Sequence, residues 1–268
     1  MENTQITKSD CPLLALKNVS KYFDSVSNLT MNSTKVLREV SFNVEDGETV
    51  AIVGESGCGK TVLLKTMIRL FKPECGNVIF DGHDLGELTY FELAQTRMRY
   101  GFVFQQAALF DSMTIGENIA FPLVQHTNKS NKEIREIVMD LLNEVGLSEQ
   151  VLTRKPAELS GGMRKRVGLA RALALEPEII LYDEPTTGLD PIMSNVINEL
   201  IISTHQKHNV TSVLVTHDLK SVFKVADRVV MLYPLAKLDN SEPQIIFDGK
   251  PEKLANCNDK RVREFVSV

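Results

Sequence analysis

Long hydrophobic runs are missing from this sequence of 268 residues. No stretch approaches the roughly 20 consecutive apolar residues that a transmembrane helix needs. The first ten residues are mostly polar, and they lack the apolar stretch of a secretion signal. We therefore expect any role at a membrane to depend on a partner protein.

Closely spaced cysteines and a large excess of one charge are also missing. The four cysteines, Cys11, Cys58, Cys75 and Cys257, lie far apart, which argues against a zinc site and a disulfide framework. A reduced, cytoplasmic chain is the simpler expectation. The formal net charge is only −5, so the sequence offers no basic footprint for DNA or RNA. Nucleic acid is therefore not an expected partner.

Short apolar segments predict an α/β domain whose opening third is rich in strands. Strands are predicted at 13–19, 36–44, 50–53, 78–80 and 100–104. Residues 24–35 are rich in Ser, Asn and Thr, and we expect them to form an exposed loop.

Helical spacing of apolar residues begins further along the chain. Helices are predicted at 131–145 and at about 161–175, and strands at 179–182, 213–215 and 229–232. The alternation of strands and helices is typical of a mostly parallel sheet. We expect the charged last twenty residues to form a solvated C-terminal helix.

The most specific signal is a phosphate-binding loop of the pattern G-x-x-x-x-G-K-[ST]. Its members are Gly54, Glu55, Ser56, Gly57, Cys58, Gly59, Lys60 and Thr61. Glycines leave backbone N–H groups bare, so that triphosphate oxygens can approach them closely. Lys60 adds a positive charge for the β and γ phosphates, and the Thr61 hydroxyl is placed to bind Mg²⁺.

The flanks of this loop agree with its chemistry. An apolar run precedes it, and apolar residues at helical spacing follow it, namely Leu63, Leu64, Met67, Ile68 and Phe71. Strand, glycine-rich turn and helix therefore come in the required order, and the sequence predicts a nucleoside triphosphate site.

Two other segments carry chemistry that suits a triphosphate. A predicted strand ends in Asp183 and Glu184, which places two carboxylates at a sheet edge beside the phosphate loop. One carboxylate can hold Mg²⁺ while the other polarises water. Ser160, Gly161 and Gly162 open a predicted helix, whose free N–H groups form a second anion site.

Together these motifs resemble those of the ABC (ATP-binding cassette) ATPases. Residues 159–163 resemble the LSGGQ signature, 179–184 the Walker B strand and 187–190 the D-loop. Gln105 resembles the Q-loop glutamine, and His217 resembles the switch histidine. The resemblance implies a P-loop NTPase fold of the ABC type, with a mostly parallel core sheet, an N-terminal antiparallel β-subdomain and a helical subdomain.

The resemblance also implies a role for each matching residue. Thr61, Gln105 and Asp183 would bind Mg²⁺, and Gln105 would also take part in catalysis. Glu184 would polarise the attacking water, and His217 would sense the γ phosphate. ATP and Mg²⁺ are the expected cofactors.

Further residues are expected to contact nucleotide. The signature residues 160–162 and the D-loop residue Asp190 belong to this set by resemblance. An aromatic side chain is expected against the adenine, for which Phe23 is favoured and Tyr22 is the alternative.

Partners follow from the same resemblance. In ABC ATPases the signature of one half closes over the nucleotide of the other half, which implies a head-to-tail homodimer around two ATP molecules. Transport cassettes also carry a groove after the Q-loop that receives a short helix of an integral membrane permease. Residues 107–123 are apolar and small, which suits such a contact. A plain core loop is the alternative interpretation.

Residues 104–123 and 160–167 look like the ATPase of the Mla (maintenance of lipid asymmetry) systems, which work with Mce-domain proteins. Met163 replaces the usual signature glutamine but agrees with this subfamily. The likeness implies phospholipid transport between bacterial membranes, with the chain peripheral on the inner face of the cytoplasmic membrane. Two alternatives stay open: an importer of polar amino acids or other small solutes, and a regulatory module that moves no substrate.

The expected domain organisation follows the resemblance. An ABC ATPase domain is predicted at 13–250, with a helical subdomain at about 106–170. A C-terminal helical extension is predicted at 251–268.

Overall fold

The computed structural model describes residues 11–27 and 30–267. Three predictions extend beyond these ranges: the lack of a secretion signal in the first ten residues, the centre of the loop 24–35, and the last residue of the C-terminal extension. The strands are β1 (Leu14–Ser27), β2 (Thr30–Val44), β3 (Thr49–Val53), β4 (Cys75–Phe80), β5 (His83–Asp84), β6 (Tyr100–Val103), β7 (Ile179–Asp183), β8 (Thr211–Val215), β9 (Arg228–Leu232) and β10 (Ile245–Gly249).

Eight α-helices lie in the described part of the chain. They are α1 (Lys60–Met67), α2 (Tyr90–Arg97), α3 (Ile115–His126), α4 (Asn131–Glu144), α5 (Gly161–Leu173), α6 (Pro191–His208), α7 (Leu219–Val225) and α8 (Lys260–Val266).

A six-stranded sheet forms the centre of the molecule in the order β10-β9-β3-β8-β7-β6. Its pairs are parallel from β9 to β6, and only β10 runs antiparallel to its neighbour. Every residue of β3, β7 and β8 is buried, as expected for strands covered on both faces. The predicted mostly parallel core sheet is confirmed. Its parallel strands end at one edge, which is where α/β sheets bind ligands.

A second sheet of four antiparallel strands has the order β2-β1-β4-β5. The prediction of an exposed loop at 24–35 is wrong for the described residues, because β1 and β2 continue through it as a hairpin. Asp24 pairs with Ser33, and Tyr22 pairs with Lys35. Pairing between the two strands satisfies the backbone N–H and C=O groups of this polar segment. The buried residues of β1 and β2, which lie away from the turn, set the register of the hairpin.

The two helices whose limits were predicted, α4 and α5, begin and end close to those limits. α2, α3 and α4 each begin with a capping box, in which a Ser or Thr hydroxyl and a Glu carboxylate exchange hydrogen bonds with backbone N–H groups. α5 ends at Leu173, two residues before the predicted end. α1 ends at Met67, so Phe71 lies beyond the helix whose face it was expected to share.

Three groups of buried apolar side chains hold these layers together. The first joins the antiparallel sheet and α1 to the central sheet, and the second joins the opposite face to α3, α4, α5 and α6. The third packs α7 and α8 against β3 and β9. The expectation of a solvated C-terminal helix is therefore only partly right, because Val262 of α8 is fully buried.

Candidate functional site

The phosphate loop connects β3 to α1, as the sequence predicts. Gly54 has φ of +147°, and an added Cβ would lie 2.2 Å from the carbonyl oxygen of Leu232. Gly59 caps α1 with φ of +99°. These positions need glycine because a side chain would be strained at both and would collide with backbone at Gly54. Ser56 and Gly57 are exposed at the tip of the loop.

Lys60 lies under this loop at the start of α1. Its Nζ donates hydrogen bonds to the carbonyl oxygens of Gly54 (2.8 Å) and Glu55 (3.0 Å). The residue is only 8% exposed, so its charge acts with little screening by water. Cys58 is also buried, and burial raises the pKa of its thiol. The loop therefore combines a cation, a helix N-terminus and bare backbone, which suits a polyphosphate.

Two residues predicted to bind metal lie in direct contact. The Thr61 hydroxyl donates to Asp183 Oδ1 at 2.9 Å. Burial raises the pKa of Asp183, and the hydrogen bond from Thr61 opposes this rise. Hydroxyl and carboxylate oxygens are ligands that Mg²⁺ accepts, so the donor set fits this cation.

Glu184 and His217 form a second pair at the same sheet edge. His217 Nδ1 lies 2.8 Å from Glu184 Oε2, and the Thr187 hydroxyl donates to the same oxygen at 2.9 Å. The histidine side chain is 62% exposed, whereas that of Glu184 is 12% exposed. The pair thus has a mostly buried carboxylate and an accessible imidazole.

The backbone of Glu184 is in a strained conformation. Its φ is +50°, in the left-handed region that residues with side chains rarely adopt. Its N–H donates to the carbonyl of Val215 at 2.9 Å, which ties the end of β7 to the end of β8. This link brings Glu184 beside His217, which follows β8 by two residues.

Gln105 lies at the same edge, after the strand that neighbours β7. Val103 pairs with Tyr182, so Gln105 follows β6 where Asp183 ends β7. Its side chain is exposed and makes no hydrogen bond to Thr61 or Asp183 in the part of the chain that the structure describes.

The signature segment begins α5 as predicted. Ser160 caps the helix, and its Oγ accepts a hydrogen bond from the Met163 N–H. Asp190 caps α6 in the same way and accepts from two backbone N–H groups. The two helix starts touch, because a Cβ added to Gly162 would lie 2.7 Å from the Met193 methyl. Signature and D-loop therefore form one surface in this chain.

The two aromatic candidates for adenine have different surroundings. Phe23 is 37% exposed and packs edge-on against Phe71, with ring centroids 5.4 Å apart. Tyr22 lies near Lys35, whose Nζ is 5.2 Å from the ring centroid. Because the Phe23 ring is partly exposed beside the segment that follows α1, it is available for stacking.

An apolar groove of about 420 Å³ lies between the segment after β6, α3 and α5. Phe104, Phe110 and Pro122 are among its lining residues. The turn that follows Gln105 is strained, since Ala107 and Ala108 both have positive φ. Arg171 of α5 holds this turn by donating to both alanine carbonyls, at 2.9 and 2.8 Å. The predicted apolar segment 107–123 thus lines a groove.

Two buried polar residues near the site were missed by sequence reasoning. Lys165 of α5 donates to the carbonyl oxygens of Glu184 and Thr187. Gln244, just before β10, donates to the Cys58 carbonyl of the phosphate loop at 3.0 Å. Lys165 lies in the segment 160–167 that resembles the Mla ATPase, whereas Gln244 lies in no motif. The partners of both side chains are backbone atoms, so no residue pattern indicates these contacts.

No helix in the described ranges has the length and apolar character needed to cross a membrane.

Comparison with known proteins agrees with the geometry. A family model described as "ABC transporter" matches residues 37–187. A solved dimeric ATP-binding cassette in a post-hydrolysis state, bound to ADP and Pi, is similar with a TM-score of 0.76 and 33% identity. The match covers 89% of this chain and 98% of that one. Fold and site thus define a phosphate-loop ATPase cassette. The chain belongs to the ABC transporter family, as an ATPase domain.

Two named relatives differ in the transport that their names describe. The "Probable ribonucleotide transport ATP-binding protein mkl" of Mycobacterium leprae is 39% identical over 238 residues, or 89% of this chain. The "Intermembrane phospholipid transport system ATP-binding protein MlaF" of Haemophilus influenzae is 39% identical over 243 residues. That match covers 90% of this chain and 89% of the relative. The chain spans only 66% of the length of the mycobacterial relative.

Proposed function

We propose that this chain is the ATP-binding and ATP-hydrolysing subunit of a membrane transporter. The observation that carries the proposal is the convergence of two side-chain pairs beside the phosphate loop. One pair is Thr61 with Asp183, and the other is His217 with Glu184. The first offers hard oxygen ligands to a cation, and the second holds a carboxylate that can accept a proton.

In this proposal the phosphate loop holds the triphosphate. Backbone N–H groups of residues 54–59 and the Lys60 ammonium bind its oxygens. Thr61, Gln105 and Asp183 would hold Mg²⁺, which would neutralise negative charge on the triphosphate. Mg²⁺ is usually bound through one or two carboxylates beside substrate phosphates and water. Asp183 supplies one such carboxylate, in contact with the Thr61 hydroxyl.

Glu184 is the group that polarises the attacking water. Its Oε2 accepts a hydrogen bond from the Thr187 hydroxyl and lies against His217 Nδ1, and these two contacts orient the carboxylate before the reaction. His217 is exposed enough to reach the γ phosphate while it stays in contact with Glu184. Phe23 stacks on the adenine, with Phe71 supporting its ring.

A second copy of the chain completes each site. Ser160, Gly161 and Asp190 are exposed, although they belong to the nucleotide-contacting set. Ile192, next to them at the start of α6, is 77% exposed. A head-to-tail dimer would cover this surface and bring the α5 N-terminus onto the partner's γ phosphate. The similar solved cassette is dimeric, which supports this arrangement.

The apolar groove behind Gln105 is the docking site for a permease. Its aromatic lining suits a short apolar helix. Arg171 connects this groove to α5, so a docked helix would act on the signature helix as well as on the Gln105 turn. The chain then lies at the inner face of the cytoplasmic membrane.

Phospholipid transport between bacterial membranes is the favoured activity of the assembly. The relative named for it matches over nearly its whole length, whereas the relative named for ribonucleotide transport is matched over 66% of its length. An Mce-domain lipid-binding protein would then be a further partner. An importer of polar amino acids or other small solutes is the second candidate, and a regulatory module is the third.

The proposed organisation has an ATPase domain at 13–250 and a helical subdomain at about 106–170. The subdomain is supported by the mutual packing of α3, α4 and α5, and the second group of buried side chains joins it to α6 and the central sheet. The segment 251–268 is the C-terminal extension.

The test is to copurify the chain with its membrane partners and to identify the subunits and bound lipid by mass spectrometry. The assembly is then reconstituted, and ATP hydrolysis is measured together with transfer of labelled phospholipid between vesicles. ATP-dependent transfer in the wild type, lost in Glu184→Gln, is the expected result.

Other outcomes separate the candidates. Hydrolysis with solute uptake and no lipid transfer would favour the importer, and hydrolysis with neither would favour the regulatory module. An assembly that binds no ATP, or that contains only one copy of the chain with a slowly hydrolysed analogue, would contradict the proposal.

A further inference from the structure

Lys165 is a buried cation whose only hydrogen-bond partners in the described chain are two backbone carbonyls. It is 7% exposed, and its Nζ donates to the oxygens of Thr187 at 2.7 Å and Glu184 at 3.3 Å. Burial lowers the pKa of the ammonium to about 8, and the charge of Glu184 opposes this shift. A charged group in such a place is costly unless its hydrogen bonds compensate.

These two carbonyls belong to the turn that fixes the Glu184 carboxylate. Glu184 has positive φ, and its N–H is held by Val215. Lys165 holds its carbonyl, so both backbone groups of this strained residue are bound. Thr187, the second acceptor, donates its hydroxyl to Glu184 Oε2. One ammonium therefore holds the residue that carries the carboxylate and also the residue that orients it.

The other end of this connection is the signature. Lys165 lies five residues after Ser160, which corresponds to about 7.5 Å along a helix. Both residues belong to the continuous helix α5 or its cap. A shift of the helix start is therefore transmitted to the Lys165 ammonium and to the Glu184 turn.

We propose that Lys165 is a positioning residue for ATP hydrolysis, through which the signature helix holds the Glu184 turn in its strained conformation. This inference rests on the proposed function, in which Ser160 faces the partner's ATP. Occupancy of one nucleotide site then sets the position of the carboxylate that serves the other site. Lys165 itself touches neither nucleotide nor water in this role.

The experiment compares three variants in the complete assembly. Lys165→Met keeps the aliphatic stem and removes the donors, and Lys165→Arg keeps a charged donor. Arg166→Met is the matched control, because it removes a neighbouring cation of α5 that binds the carbonyls of Val145 and Gly146 instead. The measurements are kcat, KM and ATP affinity, with the melting temperature as a check of folding.

The expected result is a drop of about ten- to a hundredfold in kcat for Lys165→Met, with ATP affinity within about twofold of the wild type. Lys165→Arg should recover most of kcat. Arg166→Met should lower the melting temperature and leave kcat within about twofold. Lys165→Leu, which also removes the donors, replaces Lys165→Met if the latter does not fold.

An unchanged kcat in Lys165→Met would overturn the inference, and so would an equal loss in Arg166→Met. A parallel loss of ATP affinity would also overturn it, because the residue would then support binding instead of the carboxylate. A wild-type assembly without ATPase activity would overturn the proposed function, and this inference with it.

Discussion

Several contacts from different parts of the chain orient the Glu184 carboxylate. Its backbone adopts positive φ, which costs of order 1–3 kcal/mol for a residue with a side chain. Val215 and Lys165 hold its backbone groups, and Thr187 and His217 contact its carboxylate. The strained conformation persists because these four contacts hold it in place. It directs the carboxylate to the edge of the sheet.

Replacing Glu184 by Gln should abolish turnover and leave ATP binding intact. The amide keeps the shape of the side chain but cannot accept a proton from water, so kcat should fall by about 10²- to 10⁴-fold. The phosphate loop and the contact between Thr61 and Asp183 are unaffected. Hydrolysis and ATP calorimetry provide the measurement, with the exposed Glu199→Gln as control. Near wild-type turnover would contradict the proposed role.

Gln244 is a second residue whose importance lies in its contacts. Its amide donates to the carbonyls of Val36 and Cys58, and its carbonyl oxygen accepts from the Arg38 N–H. It is 1% exposed. The phosphate loop is thereby tied to β2 and to the segment before β10.

Gln244→Leu should weaken ATP binding by about two- to tenfold, because the loop loses a hydrogen bond of about 0.5–1.5 kcal/mol. Stability should fall as well, because the polar groups of β2 are left unpaired. Titration calorimetry and urea unfolding measure the two effects. Gln206→Leu, at an exposed position of α6, should change neither. Unaltered affinity in Gln244→Leu would show that the loop holds its shape without this contact.

At the scale of elements, α5 connects three loops with different tasks. Its cap Ser160 belongs to the signature, Lys165 holds the Glu184 turn, and Arg171 near its end holds the turn after Gln105. Met163 packs against the second buried group of side chains, which anchors the start of the helix. One helix therefore links the signature segment to the groove.

The capping box of α4 predicts a dependence of stability on pH. Hydrogen bonds from the Ser130 hydroxyl and N–H lower the pKa of Glu133. The carboxylate therefore stabilises the helix above the unfolded pKa of about 4.3, and this stabilisation is lost as the pH falls through the lower folded value. The difference in unfolding free energy between wild type and Glu133→Gln should be largest near pH 7 and shrink below pH ~4.

Urea unfolding at a series of pH values measures this difference. Glu136→Gln on the same helix is the control, since Glu136 is exposed and takes no part in the capping box; its ion-pair partner in the described chain is Lys132, 4.0 Å away. If the difference in unfolding free energy between wild type and Glu133→Gln does not change with pH, the assignment of the capping box is contradicted.

At the scale of the whole molecule, the C-terminal segment is part of the core. Leu254 and Val262 are fully buried, and they share an apolar group with Ala51 and Val53 of β3. The strand that leads into the phosphate loop is therefore supported from behind by the last helix. We expect the C-terminal segment to unfold together with the central sheet.

Leu254→Ala should lower the free energy of unfolding by about 2–5 kcal/mol, because it leaves a cavity behind β3. The transition should remain single. Leu70→Ala is the matched control, since Leu70 is 51% exposed and its truncation should cost less than about 0.5 kcal/mol. Thermal and urea unfolding measure both variants. A separate early transition would mean that the C-terminal segment folds independently.

Local patterns were most informative where function requires adjacent residues. The phosphate loop, α4 and the apolar strands of the parallel sheet could be predicted from spacing alone. The hairpin at 24–35 could not, because its polar side chains resemble a loop and only pairing across the sheet reveals a strand. The burial of Val262 in α8 was also missed, because most residues around it in the sequence are charged and only the packed structure shows its apolar contact.

The sequence by itself determined which chemistry the chain carries and in which order its parts occur, because glycines, charges and apolar spacing act over a few residues. The tertiary structure decided how these parts hold one another. Gln244 reaches a carbonyl 186 residues away, and Lys165 reaches one 22 residues away. Such contacts arise only when the strands of a sheet align, and backbone acceptors leave no trace in the residue pattern.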